Sequence, residues 1–176
     1  MRLSTRRLSR AALMAALCAV LSQLSIPIGA VPVTLQTFVV ALAGGALGAA
    51  DGGLALVVYL LLGAVGLPVY AGFSGGVGAL LGPTGGYLAA FPAMAFLCGL
   101  GAGRGVALHA ALSLLGLLVV YAAGTARLAA VIGAPFIQAA QMGVLPFVVK
   151  DLASLALALA ASYAVRPALT HLAARS

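Results

Sequence analysis

The sequence predicts an all-α membrane protein with six transmembrane helices, organised as a single integral membrane domain over residues 1–176. Two observations lead to this prediction: 64% of the residues are apolar, and only 6% are charged. A soluble domain carries about 25% charged residues, which keep its surface in water. The composition therefore excludes an ordinary soluble enzyme, a disordered chain and a disulfide-rich secreted domain.

The chain length fits six spans. A helix needs about 20 residues to cross the hydrocarbon core, so six helices use about 120 of the 176 residues. The remainder suffices for short loops and tails but not for a second domain. Cys18 and Cys98 both fall within apolar runs, where a cysteine is typical of core packing rather than of a disulfide.

Proline and glycine divide the apolar sequence into its predicted spans. Proline ends the first and third spans and opens the sixth, because its position in a helix is restricted to the first turn. Glycine-containing turns at 51–53 and 101–105 separate other spans, and a semi-apolar connection at 124–145 includes a short interfacial helix. The predicted spans cover residues 8–26, 34–50, 54–67, 86–100, 106–123 and 146–165.

The basic residues predict the orientation. With both termini in the cytoplasm, seven basic residues lie inside, and Arg127 and Lys150 lie on or near the outer side. Because cytoplasmic loops are enriched in Lys and Arg, we predict a multi-pass protein of the bacterial cytoplasmic membrane. Its surroundings then include membrane lipid, and the net charge of +7 reflects topology rather than nucleic-acid binding. The inner residues are Arg2, Arg6, Arg7, Arg10, Arg104, Arg166 and Arg175.

This orientation places three irregular segments outside, at residues 27–33, 69–85 and 124–145. Residues 69–85 are long for a loop and too rich in glycine for a stable helix. Irregular backbone near a membrane is tolerated where it is buried in protein or lines a cavity. We therefore expect an outward-facing pocket covered by these loops.

Lys150 and Asp151 are the leading candidates for ligand binding. An ionisable residue at membrane depth is costly and is a functional candidate by default. Asp151 is suited to accept hydrogen bonds from ligand N–H groups, and Lys150 to pair with a ligand carboxylate. The alternative is that Lys150 and Asp151 pair only with each other and anchor the outer end of the last span.

Polar residues at the start of the second span are further candidates. Gln36 offers both a donor and an acceptor, which suits an amide or urea group, and Thr34 lies beside it in the sequence. The alternative for both residues is hydrogen bonding between helices.

The glycine-rich segment adds aromatic and backbone candidates. Tyr70, Phe73 and Tyr87 either stack on a ligand ring or belong to an interfacial aromatic belt. Glycines such as Gly75 allow backbone amides to approach a ligand closely.

An intramembrane serine protease is the alternative from another class. Residues 72–75 read GFSG, the G-x-S-G spelling of rhomboid-type proteases, with Ser74 as the nucleophile. The base must lie within hydrogen-bond reach, whereas the topology places His109 and His171 on the cytoplasmic side, roughly 30 Å from Ser74. No zinc-ligand spacing or Walker motif is visible, so we predict no enzyme activity, no metal and no cofactor, and any ATP use falls to a partner.

Three motifs resemble those of BioY-type biotin transporters. They are VPVTLQT at 31–37, LPVYAGFSGG at 67–76 and GPTGGY at 82–87. Their order and spacing also agree, and the resemblance covers almost the whole chain. Such proteins are the substrate-binding S components of energy-coupling factor transporters. The resemblance implies high-affinity biotin capture from outside and assembly with a transmembrane T component and two ABC ATPases; an S component for another vitamin is the alternative.

The first span contains two small-xxx-small pairs, Ala11/Ala15 and Ala12/Ala16. This spacing permits close approach of another helix. The resemblance implies that these alanines form the docking face for the T component, and a homo-oligomer is also possible.

The chain departs from the family pattern where a ligand carboxylate is expected to bind. The family often reads PxxPGDxxK at the start of its last helix, whereas residues 146–154 read PFVVKDLAS. The acid is kept as Asp151, but Ser154 replaces the downstream lysine. Ser74 lies near where many members carry arginine. Lys150 is therefore the first candidate for the carboxylate partner, and Arg127 is the next.

Overall fold

The computed structural model describes residues 5–174, with side chains described through Arg166, and these residues are mostly helical. The predicted all-α class is confirmed to that extent, with one β-hairpin as an addition. The elements are α1 (Thr5–Ser22), β1 (Ser25–Ile28), β2 (Val31–Thr34), α2 (Gln36–Leu47), α3 (Ala49–Ala64), α4 (Val77–Leu81), α5 (Gly85–Gly101), α6 (Val106–Ile132), α7 (Phe136–Gly143) and α8 (Val148–Ala174).

Among the described residues, two helices are long and apolar enough to cross a membrane, namely α6 and the Val148–Arg166 part of α8. Only 28% of the most apolar window of each is buried inside the protein. Large apolar side chains such as Leu118 and Leu157 therefore face outward, at 54% and 62% exposure. A surface of this kind is stable against lipid rather than water. The other predicted spans correspond to α1 and to the shorter apolar helices α2, α3 and α5.

Glycine allows the central helices to approach closely. α5 packs against α2, α3 and α6, and α2 packs in turn against α8. A Cβ on Gly44 of α2 would collide with the carbonyl of Ala95 in α5, and one on Gly99 of α5 would collide with the backbone of Ala49. Small residues at helix crossings bring backbones together and increase van der Waals contact, which drives helix association in lipid.

The first irregular segment forms a β-hairpin, where the sequence predicted only a turn. α1 ends at Ser22 instead of continuing to Ile26, and β1 pairs antiparallel with β2. Pro27 lies opposite Pro32. Residue pairs in an antiparallel ladder alternate between positions with and without backbone hydrogen bonds. Proline has no N–H group to donate, so two facing prolines fit a pair without backbone hydrogen bonds.

The turn between the second and third predicted spans also lies elsewhere. It is formed by Gly48, whose φ of +86° favours glycine. Residues 51–53, predicted as this turn, belong to the first turns of α3. Asp51 is favourable there because a carboxylate near a helix N-terminus interacts well with the helix dipole.

The last two long helices have different bounds from those predicted. α6 continues through Gly124 to Ile132, so only residues 133–147 connect it to α8. That connection contains the short helix α7, and α8 begins at Val148 rather than at Pro146. The backbone of α8 also continues helically past Pro167.

The connections separate the molecule into two ends. At one end, Arg7 of α1 forms an ion pair with Asp51 of α3, and Arg166 of α8 approaches Gly103 in the turn before α6. We call this the arginine end. The hairpin, the segment after α3, α7 and the start of α8 lie at the opposite end, where the candidate site is found.

Candidate ligand-binding site

A cavity of about 200 Å³ lies among the hairpin, the segment after α3, and the helices α5, α6 and α8. One enclosed water needs roughly 10–15 Å³ measured in this way, so the cavity has room for a small organic molecule. Its wall is mainly apolar and includes Phe91 and Phe147. Ligand sites of this type are apolar overall and use a few polar groups to orient the ligand.

Six of the eight predicted ligand-binding residues line this cavity. They come from separate parts of the chain and are Thr34, Gln36, Tyr70, Tyr87, Lys150 and Asp151.

Phe73 and Gly75 do not line the cavity. The side chain of Phe73 points away from the protein interior and is 71% exposed. A Cβ at Gly75 would collide with the carbonyl of Leu67, so this glycine allows the segment after α3 to fold closely on itself. In this structure the two residues form the outside of the cavity wall rather than its inner surface.

Asp151 is the buried charged group of the site, with 4% of the residue exposed. Its Oδ2 accepts a hydrogen bond of 2.7 Å from the hydroxyl of Tyr121. Its Oδ1 forms an ion pair with Lys150, yet no hydrogen bond of acceptable geometry reaches Oδ1 from the described residues. A buried carboxylate needs a counter-charge and hydrogen bonds to remain ionised. A carboxylate has about four acceptor sites over its two oxygens, so beyond the Lys150 ion pair and the Tyr121 hydrogen bond Asp151 keeps the capacity to accept a hydrogen bond from a ligand.

Lys150 connects α8 to the hairpin. Its Nζ donates a hydrogen bond of 2.9 Å to the backbone carbonyl of Thr34, in addition to its ion pair with Asp151. Arg127, the other candidate cation, does not line the cavity, and its guanidinium donates to the carbonyl of Leu81 at the end of α4. Lys150 is thus the cation that lines the cavity among the described residues.

The side-chain amide of Gln36 is oriented by a chain of hydrogen bonds. Thr34 Oγ1 donates to Gln36 Oε1 at 2.9 Å, and Gln36 Nε2 donates to the hydroxyl of Tyr59 at 2.7 Å. The Tyr59 hydroxyl in turn donates to the carbonyl of Val69 at 3.0 Å. Since an amide nitrogen carries two N–H groups, one N–H of Gln36 remains available to a ligand.

Tyr70 and Tyr87 are held through their hydroxyl groups. Tyr70 donates to the carbonyl of Leu60 at 2.7 Å, and Tyr87 to the carbonyl of Gly143 at 3.0 Å. Burial raises the pKa of the Tyr70 hydroxyl above its usual value of about 10, so it stays protonated at neutral pH. The rings of Tyr70 and Tyr87 are therefore fixed and contribute to the cavity wall.

Tyr121 lines the cavity but was not among the residues predicted from the sequence. This residue lies in the apolar run of α6, where neither a turn nor a charge draws attention to it. A signal was nevertheless present, because a tyrosine within a span carries a hydroxyl that usually requires a hydrogen-bond partner. Its partner, Asp151, lies 30 residues further along the chain, and the pairing depends on the packing of α6 near α8.

A family comparison decides the relationship of this chain to known proteins. The model of the BioY family matches residues 1–171. This chain belongs to the BioY family.

Individual proteins agree with that family assignment. The protein named "Probable biotin transporter BioY" of Pyrococcus horikoshii is 47% identical over 156 residues, covering 89% of this chain and 93% of that protein. The "Biotin transporter BioY" of Thermotoga maritima is 43% identical over 155 residues, covering 87% of this chain and 91% of that protein.

A crystal structure also matches. It is described as the S-component for biotin from an ECF-type ABC transporter, and it aligns with a TM-score of 0.82 at 28% identity, over 96% of this chain and 95% of that chain. The fold is therefore that of an S component, and the protein is a membrane protein.

In this member of the BioY family, the two alanine pairs of α1 face different ways. Ala11 and Ala15 have 0% exposure and pack inside the protein. Ala12 and Ala16 are exposed on the outside of the same helix. Neighbouring residues of a helix point in directions about 100° apart, so the two pairs lie on different faces of α1. Only the exposed pair, Ala12 and Ala16, is available to a partner. The docking prediction is thereby restricted to Ala12 and Ala16.

The protease alternative has no support in the geometry of this BioY protein. Ser74 Oγ donates to the carbonyl of Ala71 at 2.8 Å and lines the cavity. His109 lies on α6 twelve positions before Tyr121, about 18 Å along the helix axis from the cavity. The described residues therefore form no serine–histidine pair at Ser74; the side chain of His171 lies outside the described side chains.

Proposed function

We propose that this protein captures biotin and takes it up across the membrane as the S component of an energy-coupling factor transporter. The observation behind this proposal is the cavity in which the buried carboxylate of Asp151 and the oriented amide of Gln36 meet aromatic walls. Family membership and two relatives named as biotin transporters support the choice of ligand.

The chemistry of biotin suits the polar groups of the cavity. The bicyclic ring carries a urea with N–H donors and a carbonyl acceptor. The carboxylate of Asp151 accepts from a urea N–H, and the remaining N–H of Gln36 donates to the urea carbonyl. Tyr70 and Tyr87 pack against the ring. Binding of this kind needs no covalent step.

The role of Lys150 is limited by its contact with Asp151. Biotin carries its urea and its carboxylate at opposite ends. If the urea binds Asp151, the carboxylate lies far from Asp151. The ammonium of Lys150, which is paired with Asp151, then cannot also reach the carboxylate. We therefore assign Lys150 the role of neutralising Asp151 rather than that of pairing with the ligand carboxylate. The carboxylate then points toward the mouth of the cavity.

The proposed assembly follows from the S-component fold. The protein spans the membrane with six helices, α1, α2, α3, α5, α6 and α8, and is surrounded by lipid. A transmembrane T component contacts the exposed Ala12 and Ala16 of α1, and two ABC ATPases supply the energy for transport.

Binding of radiolabelled biotin to the purified protein tests the proposed function. We expect saturable binding that unlabelled biotin displaces and that an excess of thiamin or riboflavin does not. Loss of this binding in Asp151→Asn would link it to the cavity. Displacement of the label by another vitamin, or the absence of saturable biotin binding, would overturn the assignment of the ligand.

A further inference from the structure

We infer that Gln23 is a positioning residue that ties the end of α1 to the cavity wall and thereby sets how long biotin stays bound. We call the backbone segment Val69–Ser74, which follows α3, the wall segment. The inference rests on the proposed function, since it concerns the release of the ligand proposed there.

The side-chain amide of Gln23 makes hydrogen bonds to the wall segment with both of its ends. Oε1 accepts from the backbone N–H of Phe73 at 2.7 Å, and Nε2 lies 3.1 Å from the carbonyl of Tyr70. Nε2 is also within hydrogen-bond distance of Ser22 Oγ and the carbonyl of Ala19. Because the nitrogen carries two N–H groups, it serves two of these three acceptors at a time.

Ser22 adds a second connection between the same two parts of the chain. Ser22 is fully buried, and its Oγ lies 2.7 Å from the carbonyl of Val69 and 2.7 Å from that of Ala19, so its single proton serves one of the two at a time. The last residue of α1 and the residue after it therefore bind the backbone at Val69, Tyr70 and Phe73.

The wall segment forms one short 3-10 turn, Ala71–Phe73, closed by a bridge between Tyr70 and Ser74. Gly72 and Phe73 both have positive φ, at +66° and +55°, and for Phe73 this conformation is strained. Phe73 is exposed, so water would satisfy its N–H in the absence of Gln23. The bond from this N–H to Gln23 therefore acts by attaching the strained residue to the end of α1.

The same segment forms part of the inner surface of the cavity. Tyr70, Ala71 and Ser74 all line it. A ligand that leaves past this wall requires the segment to move, and movement breaks the hydrogen bonds to Gln23. Loss of these bonds therefore lowers the barrier to release by this route, while it leaves the polar contacts of Asp151 with Tyr121 and Lys150 in place.

The test measures biotin dissociation from purified Gln23→Ala after addition of excess unlabelled biotin. We expect dissociation at least tenfold faster than in the wild type, with an association rate that changes less than twofold. Gln23→Glu keeps the acceptor for the Phe73 N–H but loses the donor to the Tyr70 carbonyl, and should give an intermediate rate. Gln141→Ala is the matched control, because Gln141 is exposed on α7.

The outcomes separate this inference from the proposed function. If the wild type binds biotin and both Gln23 variants release it at the wild-type rate, the inference is wrong. The inference is also wrong if a Gln23 variant slows association as much as it accelerates dissociation and lowers the melting temperature of the biotin-free protein. That result would indicate a general structural role for Gln23. If Gln23→Ala does not fold, Gln23→Glu decides alone. Failure of the wild type to bind biotin rejects the proposed function instead.

Discussion

At the scale of single residues, Asp151 is held between a lysine ammonium at Oδ1 and a tyrosine hydroxyl at Oδ2, and its carboxylate retains acceptor capacity beyond these two contacts. Asp151→Asn removes the charge with little change in size. Hydrogen bonds to a charged group contribute about 1.5–3 kcal/mol, so we expect biotin affinity to fall at least ~10-fold. Equilibrium binding of labelled biotin measures this change. An unchanged dissociation constant would exclude Asp151 as a ligand contact.

Tyr121 is expected to act on biotin through Asp151. Tyr121→Phe removes only the hydroxyl that donates to Oδ2 at 2.7 Å. The carboxylate then lacks its neutral donor and is less well oriented, so we expect affinity to fall about 3- to 10-fold. The control is Tyr163→Phe, since Tyr163 is 38% exposed and lies outside the cavity lining. Equal effects of the two substitutions would argue against a specific role for Tyr121.

Lys150 is tested by comparing two ligands. If Lys150 neutralises Asp151, as the ion pair indicates, Lys150→Ala weakens biotin and biotin amide by similar factors, because the amide differs only at the distant carboxylate. Isothermal titration with each ligand measures the two losses. A loss confined to the acid would instead make Lys150 the carboxylate partner.

At the scale of secondary-structure elements, α1 presents one pair of alanines to its own protein and another to the outside. Ala12→Leu with Ala16→Leu should weaken association with the T component and leave biotin binding intact, because close helix approach needs small side chains. The matched change, Ala11→Leu with Ala15→Leu, overpacks the interior and should lower stability, typically by about 1–3 kcal/mol or more. Co-purification with the T component, biotin binding and melting temperature distinguish the pairs. Intact assembly in the Ala12/Ala16 variant would place the docking face elsewhere.

The predicted helices were found because long apolar runs identify them, but their bounds depend on how each glycine is used. Gly48 ends α2 because its φ is positive. Gly52 instead lies inside α3, where a Cβ would collide with the backbone of Gly44, and Gly124 lies inside α6, where a Cβ would collide with the ring of Tyr87. Sequence alone does not distinguish a glycine that turns the chain from one that admits a neighbouring helix.

The sequence placed six of the eight candidate residues around one cavity, whereas most element bounds differ from those predicted. Thr34, Gln36, Lys150 and Asp151 stand near the ends of apolar runs, and the topology brings those ends together, so local sequence and orientation were sufficient. Tyr121 was missed because its role depends on a contact between α6 and α8. The hydrogen bonds of Gln23 to residues 47 and 50 positions away depend likewise on tertiary structure.

At the scale of the whole molecule, the arginine end lies opposite the end that contains the cavity. Arg7 and Arg166 lie at the arginine end, while Lys150 lies in the wall of the cavity. α1 begins at the arginine end, and α8 runs toward it from the cavity. Because basic residues favour the cytoplasmic side, we predict that the cavity faces outward and that both termini lie inside.

Labelling of single cysteines in intact cells tests this orientation. In a background with Cys18→Ala and Cys98→Ala, a membrane-impermeant maleimide should label Ala30→Cys, which lies in the exposed turn of the hairpin. Ser4→Cys and Ser176→Cys should react only after the cells are permeabilised. Labelling of either terminal cysteine in intact cells would place that terminus outside. If both react while Ala30→Cys stays protected, the cavity opens to the cytoplasm, and capture of an external ligand by this cavity becomes impossible in that orientation.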